Sequence, residues 1–530
     1  MNDNIKKTIW SIDNKLRGSV EGWEFKSYIL NTLFFKFISE KISSQIDNYS
    51  SLSDEEAEQY KEKILSNNNY FLYPSELLEN VIKLENIIEK TKSIFSDIEK
   101  TFPDLFSDFI LESPKLGKTI EERNVKVKLI FEEINKIELS KNDSDIFGDT
   151  FEYLMTMYAS SAGKSGGEFY TPQKVAELLI KIGLIENNKP KTIYDPTCGS
   201  GSLLLKSKKI LQDENIKYYG QEINFTSCNL ARINMILHNV ECKNFNIFNG
   251  DTLLNPAFRD DKPFDVIVSN PPYSIQWIGD KNKELIKDER FSSAGILAPK
   301  NKGDLAFVMH CLNYLSETGV CAMVLFPGVL YRGGAEEQIR KYLIENNFVE
   351  SVIQLPENLF FNTSIGTDIL VLKKNKKDKN ILFIDSSKLG NKIDKRIILS
   401  EEDINKILEV YKNKKEETGF SVIIDLSNIK DYNLSVNTYL KTEEKEEIDI
   451  IALNKEIFEE KKKKLEILEK ELEVDITIYN YNELLNIPND GFLEYQIYKR
   501  NYLIKMKYKL DAVIKKTKEK IRNKLTTKRT

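Results

Sequence analysis

Residues 270–273 read Asn-Pro-Pro-Tyr and directly follow a largely apolar run, 264–269, with the composition of a buried strand. Asn270 carries a side-chain carbonyl, and the two prolines fix the backbone so that main-chain carbonyls converge beside it. Tyr273 adds a flat ring on which a base can stack. Two acceptors that hold both N–H groups of a planar amine favour a pyramidal nitrogen with a freer lone pair. The tetrapeptide therefore indicates methyl transfer to the exocyclic amine of a base.

Three acidic side chains stand at the ends of the predicted strands that precede this tetrapeptide. Asp195 opens a glycine loop, 195–202, Glu222 ends the next strand, and Asp251 ends the third. The glycines allow a tight turn close to a ligand, and the helix that follows presents free N–H groups. The third position of a dinucleotide fingerprint is Leu204 rather than glycine, so that motif is absent. Each acid alone is most simply a helix cap, but acids at successive strand ends indicate a nucleoside cofactor, with Glu222 on ribose and Asp251 on adenine.

The segment 167–172, Gly-Glu-Phe-Tyr-Thr-Pro, precedes the first predicted strand and supplies two aromatic rings that suit the wall of a small-ligand site. Taken alone, it is a helix start with a hydrophobic anchor. The preceding glycines, 163–167, do not form a phosphate-binding loop, because Tyr158 stands where that motif needs glycine. We expect a hinge there instead.

Length and charge limit the possible classes of protein. The chain has 530 residues, 41% of them apolar, which predicts two to four domains with real cores. The net charge is −5, yet residues 499–530 hold 13 Lys and Arg against Asp511 and Glu519. Tight binding to DNA would therefore need a local basic patch or a partner.

The five cysteines show no C-x-x-C spacing, and the chain has only two histidines, His238 and His310. This composition argues against a zinc site and against histidine-based catalysis, so no metal is expected. Reduced thiols and the absence of a signal-peptide pattern predict a cytoplasmic location. No stretch approaches the length and apolarity of a membrane span.

The periodicity predicts three regions: helices over 1–160, an α/β domain over 161–440, and a charged helical extension over 441–530. Apolar stripes at helical spacing support the first region, at Leu30, Leu33, Phe34, Phe37 and Ile38 and again at Leu77, Val81, Leu84, Ile87 and Ile88. In the extension, stripes over 450–472 suit either a coiled coil or a helix packed on its own core. A basic helix over about 500–525 suggests contact with a partner or with nucleic acid.

Strands alternate with helices in the middle region, which predicts a doubly wound, mostly parallel sheet. The last two strands, joined by a turn-like 374–379, suggest an antiparallel hairpin. The predicted strands are 191–195, 217–221, 244–249, 264–269, 320–326, 349–354, 366–373 and 380–385, with helices over 225–238, 304–317 and 335–346.

The order of these motifs resembles that of γ-class amino-methyltransferases that use S-adenosylmethionine, and more narrowly the modification (M) subunit of type I restriction-modification systems. Further similar segments span the chain: 16–18, 35–39, 325–335, 355–361 and 432–439. The resemblance implies a Rossmann-like methyltransferase domain between a helical N-terminal domain and the helical extension. It also implies an N6-adenine DNA methyltransferase.

Carried over by position, the resemblance implies roles for individual residues. Asn270 and Pro271, with Pro272, orient the target amino group of an adenine flipped out of the duplex, Tyr273 stacks on that base, and Phe291 flanks it. The cofactor contacts are Glu168, Phe169, Tyr170, Thr171, Pro172, Gln173, Asp195, Thr197, Gly199, Ser200, Gly201, Ser202, Glu222 and Asp251.

The resemblance further implies a specificity (S) subunit that selects the DNA sequence, a second copy of this chain, and an optional restriction (R) subunit. Three alternatives remain open. Asparagine at position 270 favours adenine, but cytosine carries a similar amine at N4. A glutamine side chain of a protein also offers a planar amide, although enzymes of that kind are shorter. A non-catalytic assembly subunit could retain the fold.

Overall fold

The computed structural model describes residues 23–137 and 171–440, except 186, 280–281, 361–364 and 394–395, together with Ile12 and four isolated positions beyond 460. The chain divides into a compact unit, Met1–Lys441, and a second unit, Thr442–Thr530. The predicted hinge at 163–167 and the helices predicted over 450–472 and 500–525 lie outside the described residues. So do Glu168, Phe169 and Tyr170.

The amino-terminal part is helical, as the apolar stripes predict. The first stripe is buried on the longest of these helices, where Phe34 is 1% exposed and Ile38 fully buried. Around it lies an aromatic cluster in which the Phe95 and Phe106 rings stack with centroids 3.8 Å apart. The helices are α1 (Trp23–Ser43), α2 (Asp54–Ala57), α3 (Lys61–Asn68), α4 (Leu78–Val81), α5 (Ile87–Glu99) and α6 (Ile120–Asn135).

The second stripe does not form one helix. Leu77 and Val81 belong to the turn around α4, Ile87 and Ile88 open α5, and Leu84 between them is 39% exposed. Helical spacing was right about which side chains are buried at four of the five positions. It was wrong about continuity, because the chain turns between the two short helices.

The described strands are β1 (Thr192–Asp195), β2 (Lys217–Glu222), β3 (Phe245–Asn249), β4 (Phe264–Ser269), β5 (Leu315–Leu325), β6 (Val349–Gln354), β7 (Asp368–Leu372), β8 (Asn380–Asp385), β9 (Asn391–Ile393), β10 (Arg396–Ile398) and β11 (Ser421–Asp425). Nine of them form one sheet in the order β11-β8-β6-β7-β5-β4-β1-β2-β3. Neighbouring strands from β5 through β4, β1 and β2 to β3 pair in parallel. The predicted doubly wound, mostly parallel sheet is confirmed.

Helices cover both faces of this sheet, which explains why its central strands β5 and β7 are largely buried on both faces. Along β5, Val320, Ala322 and Val324 join one core, and Cys321 and Met323 join the core on the opposite face. The helices are α7 (Gln173–Leu184), α8 (Ser202–Leu211), α9 (Phe225–Leu237), α10 (Glu289–Ser292), α11 (Asp304–Tyr314), α12 (Ala335–Glu345) and α13 (Glu401–Asn413).

The predicted hairpin between the last two strands is wrong, because β7 and β8 lie on opposite sides of β6. β7 runs antiparallel to β6, and β8 runs parallel to it. The connection passes the start of β6, where Lys376 Nζ donates to the carbonyls of Val349 and Asn380 at 2.6 Å each. A helix was also predicted to reach residue 317, but α11 ends at Tyr314 and β5 begins at Leu315. Three strands, β9, β10 and β11, were not predicted.

The helical part packs against α9 of the α/β part. Leu230, Ile233, Ile236 and Leu237 of that helix belong to the same core as α1 and α6. Asn229 adds a hydrogen bond from Nδ2 to the carbonyl of Asp104, at 2.6 Å. The amino-terminal helices therefore support one face of the sheet directly.

We predict that Ile233→Ala lowers the free energy of unfolding by about 2–5 kcal/mol, because the side chain is 1% exposed and its loss leaves a cavity in that shared core. Val125→Ala is the control, since Val125 is 66% exposed and its loss should change stability by less than ~0.5 kcal/mol. Urea unfolding of both variants measures the difference. Equal decreases in the free energy of unfolding for the two variants would show that packing of α9 in this core does not stabilise the protein.

Candidate active site

The carboxyl ends of four parallel strands meet at one edge of the sheet, because β1 lies between β2 and β4 and β3 flanks β2. Asp195 ends β1, Glu222 ends β2, Asp251 follows β3, and Asn270 follows β4. In doubly wound folds this edge, where the strand order reverses, is where ligands bind. The structure thus brings together the four chain segments that the sequence singled out.

The glycine loop is held against the end of β2. Gly199 N donates to Glu222 Oε2 at 3.0 Å, and Cys198 N donates to the carbonyl of Gln221 at 3.0 Å. Gly201 has φ +80°, and a Cβ there would lie 3.4 Å from the Ala231 side chain. The positive φ and the close Ala231 side chain explain why position 201 is glycine. The loop contacts also place the amino terminus of α8 at the edge of the site.

Asp195 is a buried carboxyl group with few partners. It is 1% exposed, and burial raises its pKa to about 7 even though Thr197 N donates to Oδ1 at 3.0 Å. The Thr197 hydroxyl in turn lies 2.7 Å from that of Ser269 at the end of β4. Because an ionised carboxylate is poorly stabilised here, the site favours a cationic group beside Asp195.

Glu222 is also held by backbone N–H groups. Its Oε1 accepts from Asn224 N at 2.8 Å, and burial raises its pKa. The next residue, Ile223, is 67% exposed, and Phe248 at the end of β3 is 44% exposed. Exposed apolar side chains beside a carboxylate suit the flat face of a purine. Sequence reasoning missed Ile223, although its position directly after the strand-end acid was a usable signal.

Asp251 shapes its own turn: Oδ1 accepts from Leu253 N at 2.8 Å and from Leu254 N at 3.2 Å. This is the capping role that the residue would play without any ligand. Whether its second oxygen contacts adenine stays a prediction.

Arg290, which the sequence did not single out, holds the turn after β3 from the other side. It is 2% exposed and donates to the carbonyls of Thr252 and Leu253 at 2.8 Å each. The same guanidinium pairs with Asp288 at 2.9 Å and lies 3.3 Å from His310 Nδ1. A buried guanidinium with this many partners fixes the geometry of the turn. No local pattern in the sequence distinguishes it from a surface arginine.

The side-chain amide of Asn270 has a fixed orientation. Nδ2 donates to Thr171 Oγ1 at 3.2 Å, and Oδ1 accepts from the Tyr273 hydroxyl at 2.7 Å. Burial raises the pKa of Tyr273, so its hydroxyl remains a donor. The loop that follows is pinned by Ser274 N, which donates to both oxygens of Asp304, at 3.0 and 3.1 Å. The carbonyl expected to accept from a target amine thus already accepts one hydrogen bond, from Tyr273.

The remaining predicted residues divide into three groups. Pro172, Gln173, Thr197, Ser200, Ser202, Pro271 and Pro272 lie on the segments that form this edge. Thr171 accepts a hydrogen bond from Asn270, and its contact with the cofactor stays a prediction. Phe291 is 2% exposed and packs with its ring centroid 5.7 Å from that of Trp277. This placement gives no support to a contact between Phe291 and a flipped base.

Among the described residues no group of three or more His, Cys, Asp and Glu side chains is arranged to hold a metal ion. Within the same residues, no helix has the length and apolarity needed to cross a membrane.

Comparison with known proteins agrees with this geometry. A model of the N-6 DNA methylase family matches residues 142–448, and a model of the HsdM N-terminal domain matches residues 5–134. The chain is 43% identical to the type I restriction enzyme MpnII methylase subunit of Mycoplasma pneumoniae, over 89% of this chain and 96% of that protein. It is 31% identical to the MjaVII methylase subunit of Methanocaldococcus jannaschii, over 88% of this chain and 83% of that one.

A crystal structure of the type I restriction-modification system methyltransferase subunit from Streptococcus thermophilus has the same fold. Its TM-score is 0.77 at 34% identity, and the match covers 83% of this chain and 99% of that structure.

The sheet order and the four loops at its edge define a doubly wound, Rossmann-like domain, the fold of a methyltransferase subunit. The chain belongs to the N-6 DNA methylase family, among the methylase subunits of type I restriction enzymes. It is accordingly an adenine-specific DNA methyltransferase, as the motif order predicted.

We predict that Asp195→Asn stabilises the ligand-free protein relative to wild type, increasingly as pH rises. The folded-state pKa of about 7 lies above the ordinary value of 3.8, so the stability that Asp195 contributes when protonated is lost as pH rises through 7. The difference in unfolding free energy between variant and wild type should grow by about 2–3 kcal/mol from pH 5 to pH 8.

Urea unfolding at both pH values measures this difference. Asp213→Asn, at an exposed position on the turn before β2, is the control and should show no such trend. A pH-independent difference for Asp195→Asn would mean that its carboxyl group is ionised throughout the range.

Proposed function

We propose that this chain transfers a methyl group from S-adenosylmethionine to N6 of an adenine flipped out of DNA, at a sequence chosen by a partner specificity subunit. The observation that carries the proposal is the oriented amide of Asn270, which stands at the end of β4 beside the acidic loops of β1 and β2. A flipped base is required because N6 is inaccessible to an enzyme inside the stacked duplex.

The residues at the edge fit S-adenosylmethionine in charge and shape. Asp195, which is buried and has no cationic partner among the described residues, would hold the amino-acid portion together with the loop Thr197–Ser202. Glu222 would accept from ribose hydroxyls, and Ile223 and Asp251 would border the adenine. When bound, S-adenosylmethionine supplies an electrophilic methyl group on its sulfonium sulfur. Pro172, Gln173 and, outside the described residues, Glu168, Phe169 and Tyr170 are proposed to complete its contacts.

The protein's contribution to the reaction is positioning and polarisation. The Asn270 side-chain carbonyl and the Pro271 main-chain carbonyl would accept the two N–H groups of the target amine, with Pro272 fixing the turn. The Tyr273 hydroxyl donates one hydrogen bond to Asn270 Oδ1, and this oxygen can accept a second one from the target amine. Asn270 Oδ1 is therefore not left unpaired before the base arrives. The Tyr273 ring is proposed to stack on the base.

Asn270 Nδ2 stays on Thr171 when the target amine binds, so the amide cannot turn its N–H end toward the target. We therefore assign Thr171 to positioning Asn270.

The partners follow from what the related proteins are. The relatives named above are methylase subunits of type I restriction enzymes, so we infer a specificity subunit, a second copy of this chain and, in some complexes, a restriction subunit. The net charge of −5 is consistent with DNA recognition by another chain. We further propose the division into 1–160, 161–440 and 441–530, with the last region for contact with subunits or DNA, and a cytoplasmic location beside the DNA.

The proposal is tested by modified-base sequencing of DNA from cells that express this chain with its specificity subunit. Wild type should yield N6-methyladenine at one split motif. Asn270→Ala should abolish it, a loss of at least ~100-fold, because the target amine loses its acceptor. Binding of S-adenosylhomocysteine by the purified variant should remain within about threefold of wild type.

Each failure of this experiment has a distinct meaning. N4-methylcytosine in place of N6-methyladenine would overturn the choice of base. Unmodified DNA from the wild-type complex would overturn the proposed function. Loss of S-adenosylhomocysteine binding in Asn270→Ala would show that Asn270 contributes to cofactor binding rather than to orienting the target amine.

Thr171→Val tests the assignment of Thr171, because valine has nearly the same shape but cannot accept a hydrogen bond. We expect kcat of the complex to fall about tenfold, with KM for S-adenosylmethionine unchanged, and Thr171→Ser to restore most of the rate. A raised KM for S-adenosylmethionine with kcat intact would instead place Thr171 against the cofactor.

A further inference from the structure

Four polar side chains form a hydrogen-bonded chain next to the turn after β3: Asp288, Arg290, His310 and Tyr194. Arg290 is 2% exposed, and His310 and Tyr194 are fully buried. The four residues come from the start of α10, from α11 and from β1, so only the fold brings them together. Polar groups at this depth are unfavourable unless each finds a partner, so the arrangement of their donors and acceptors is specific.

Every N–H group of Arg290 has an acceptor. Nε and Nη2 donate to the two carboxylate oxygens of Asp288, at 2.9 Å each. Nη2 also donates to the carbonyl of Leu253, and Nη1 donates to that of Thr252, at 2.8 Å each. Nη1 further donates to His310 Nδ1 at 3.3 Å. A guanidinium has five donors, so this set of acceptors leaves none of them unused.

The protonation of His310 follows from its two neighbours. A guanidinium can only donate, so Nδ1 of the imidazole accepts, and the proton of the neutral ring lies on Nε2. Nε2 lies 3.0 Å from the hydroxyl oxygen of Tyr194, which accepts it. Burial and the neighbouring Arg290 lower the pKa of His310, in agreement with a neutral ring. The imidazole thus connects the guanidinium to Tyr194, the residue before Asp195.

The carbonyls that Arg290 holds belong to the turn that places Asp251. Thr252 and Leu253 follow Asp251 directly, and the Asp251 side chain itself accepts from Leu253 N. On its other side the turn contacts the loop after β1, because the Thr252 hydroxyl donates to the carbonyl of Pro196 at 2.5 Å. The position of Asp251 therefore depends on contacts of this turn with Arg290 and Pro196.

An ion pair at this depth is a poor way to gain stability alone. Taking a guanidinium and a carboxylate out of water is costly, and well-packed apolar side chains often give the same stability or more. What arginine adds is direction, since its planar group fixes several acceptors at set angles. Two of those acceptors are carbonyls of the turn that carries Asp251, which indicates a role in the site.

We propose that Arg290, held by Asp288 and His310, is a positioning residue for the adenosine half of the cofactor. It fixes the turn after β3 so that Asp251 meets the adenine, and through His310 it ties that turn to β1, which carries Asp195. This role rests on the proposed function and deepens it, because Arg290 acts on cofactor binding without touching the cofactor.

The test measures cofactor binding by the complete methyltransferase complex with isothermal titration calorimetry. Arg290→Met keeps the length of the side chain without its donors. It should raise Kd for S-adenosylhomocysteine by about 10- to 100-fold, the range expected when hydrogen bonds from a charged group are lost. Kd for 5′-methylthioadenosine, which lacks the amino-acid part, should rise by the same factor. In turnover, the loss should appear in KM for S-adenosylmethionine more than in kcat.

Conservative variants separate position from charge. Arg290→Lys keeps the positive charge but lacks the planar fork, so it should bind S-adenosylhomocysteine nearly as weakly as Arg290→Met. His310→Asn places an amide oxygen where Nδ1 stands and should remain within about twofold of wild type. His310→Leu removes the acceptor and should raise Kd by about 3- to 10-fold. Wild-type affinity in Arg290→Lys would overturn the proposal in favour of a general effect of charge.

Ile134→Ala controls for lost stability, because Ile134 is 1% exposed in the core of the helical part and lies on α6. Urea unfolding shows how much each variant is destabilised. At a comparable loss of stability, Ile134→Ala should bind S-adenosylhomocysteine within about twofold of wild type. Equal weakening in Ile134→Ala and Arg290→Met would overturn the proposal, because affinity would then follow stability.

The remaining outcomes are distinct. Unchanged binding in Arg290→Met, or weaker binding of S-adenosylhomocysteine with unchanged 5′-methylthioadenosine, would overturn the proposal while leaving the methyltransferase intact. If Arg290→Met does not fold, equal affinity of His310→Asn and His310→Leu would overturn it. A wild-type complex that binds no S-adenosylhomocysteine would instead overturn the proposed function, and this inference with it.

Discussion

The site depends on one constraint, the parallel pairing of β1 with β2 on one side and β4 on the other. Parallel strands place their carboxyl ends at a common edge, and each return crossing needs a helix, so the helices cover the faces and leave this edge open. The acidic loops of β1 and β2 and the amide after β4 therefore meet without any long excursion of the chain. On the far side of β4, the carboxyl ends of β5, β6 and β8 also lie at this edge, with β7 running antiparallel between β5 and β6.

One buried carboxyl group, Asp195, and one partly buried carboxyl group, Glu222, make the edge unfavourable for the protein alone. Burial raises the pKa of both Asp195 and Glu222, so each is less stable ionised than it would be in water. A cationic group beside Asp195 and hydrogen-bond donors beside Glu222 would offset that penalty. Backbone N–H groups of Gly199 and Asn224 hold the Glu222 carboxylate in place.

The support for the site extends well beyond the loops themselves. Glu222 is followed within three residues by α9, whose far side lies in the core of the amino-terminal helices. The turn after β3 is held by the buried guanidinium of Arg290, which comes from the segment after the tetrapeptide. The tetrapeptide is in turn braced by Thr171 and, through Ser274, by Asp304 at the start of α11. The turn after β3 and the segment after β4 are therefore each held by contacts with other parts of the fold, which favours a constant relative position of the two.

The sequence by itself determined the order of the first eight strands, the burial of most positions in the apolar stripes, the alternation that makes a mostly parallel sheet, and the four strand-end segments that the fold brings together. These follow from local spacing and from the ends of strands, which are visible within a few residues. Only the tertiary structure decided that β6 separates β7 from β8, that Phe291 is buried against Trp277, and that Thr171 and Arg290 act as supports. The bond from Asn270 to Thr171 joins positions 99 residues apart, and that from Arg290 to Thr252 joins positions 38 apart. Such contacts arise from packing in three dimensions, for which periodicity along the chain carries no signal.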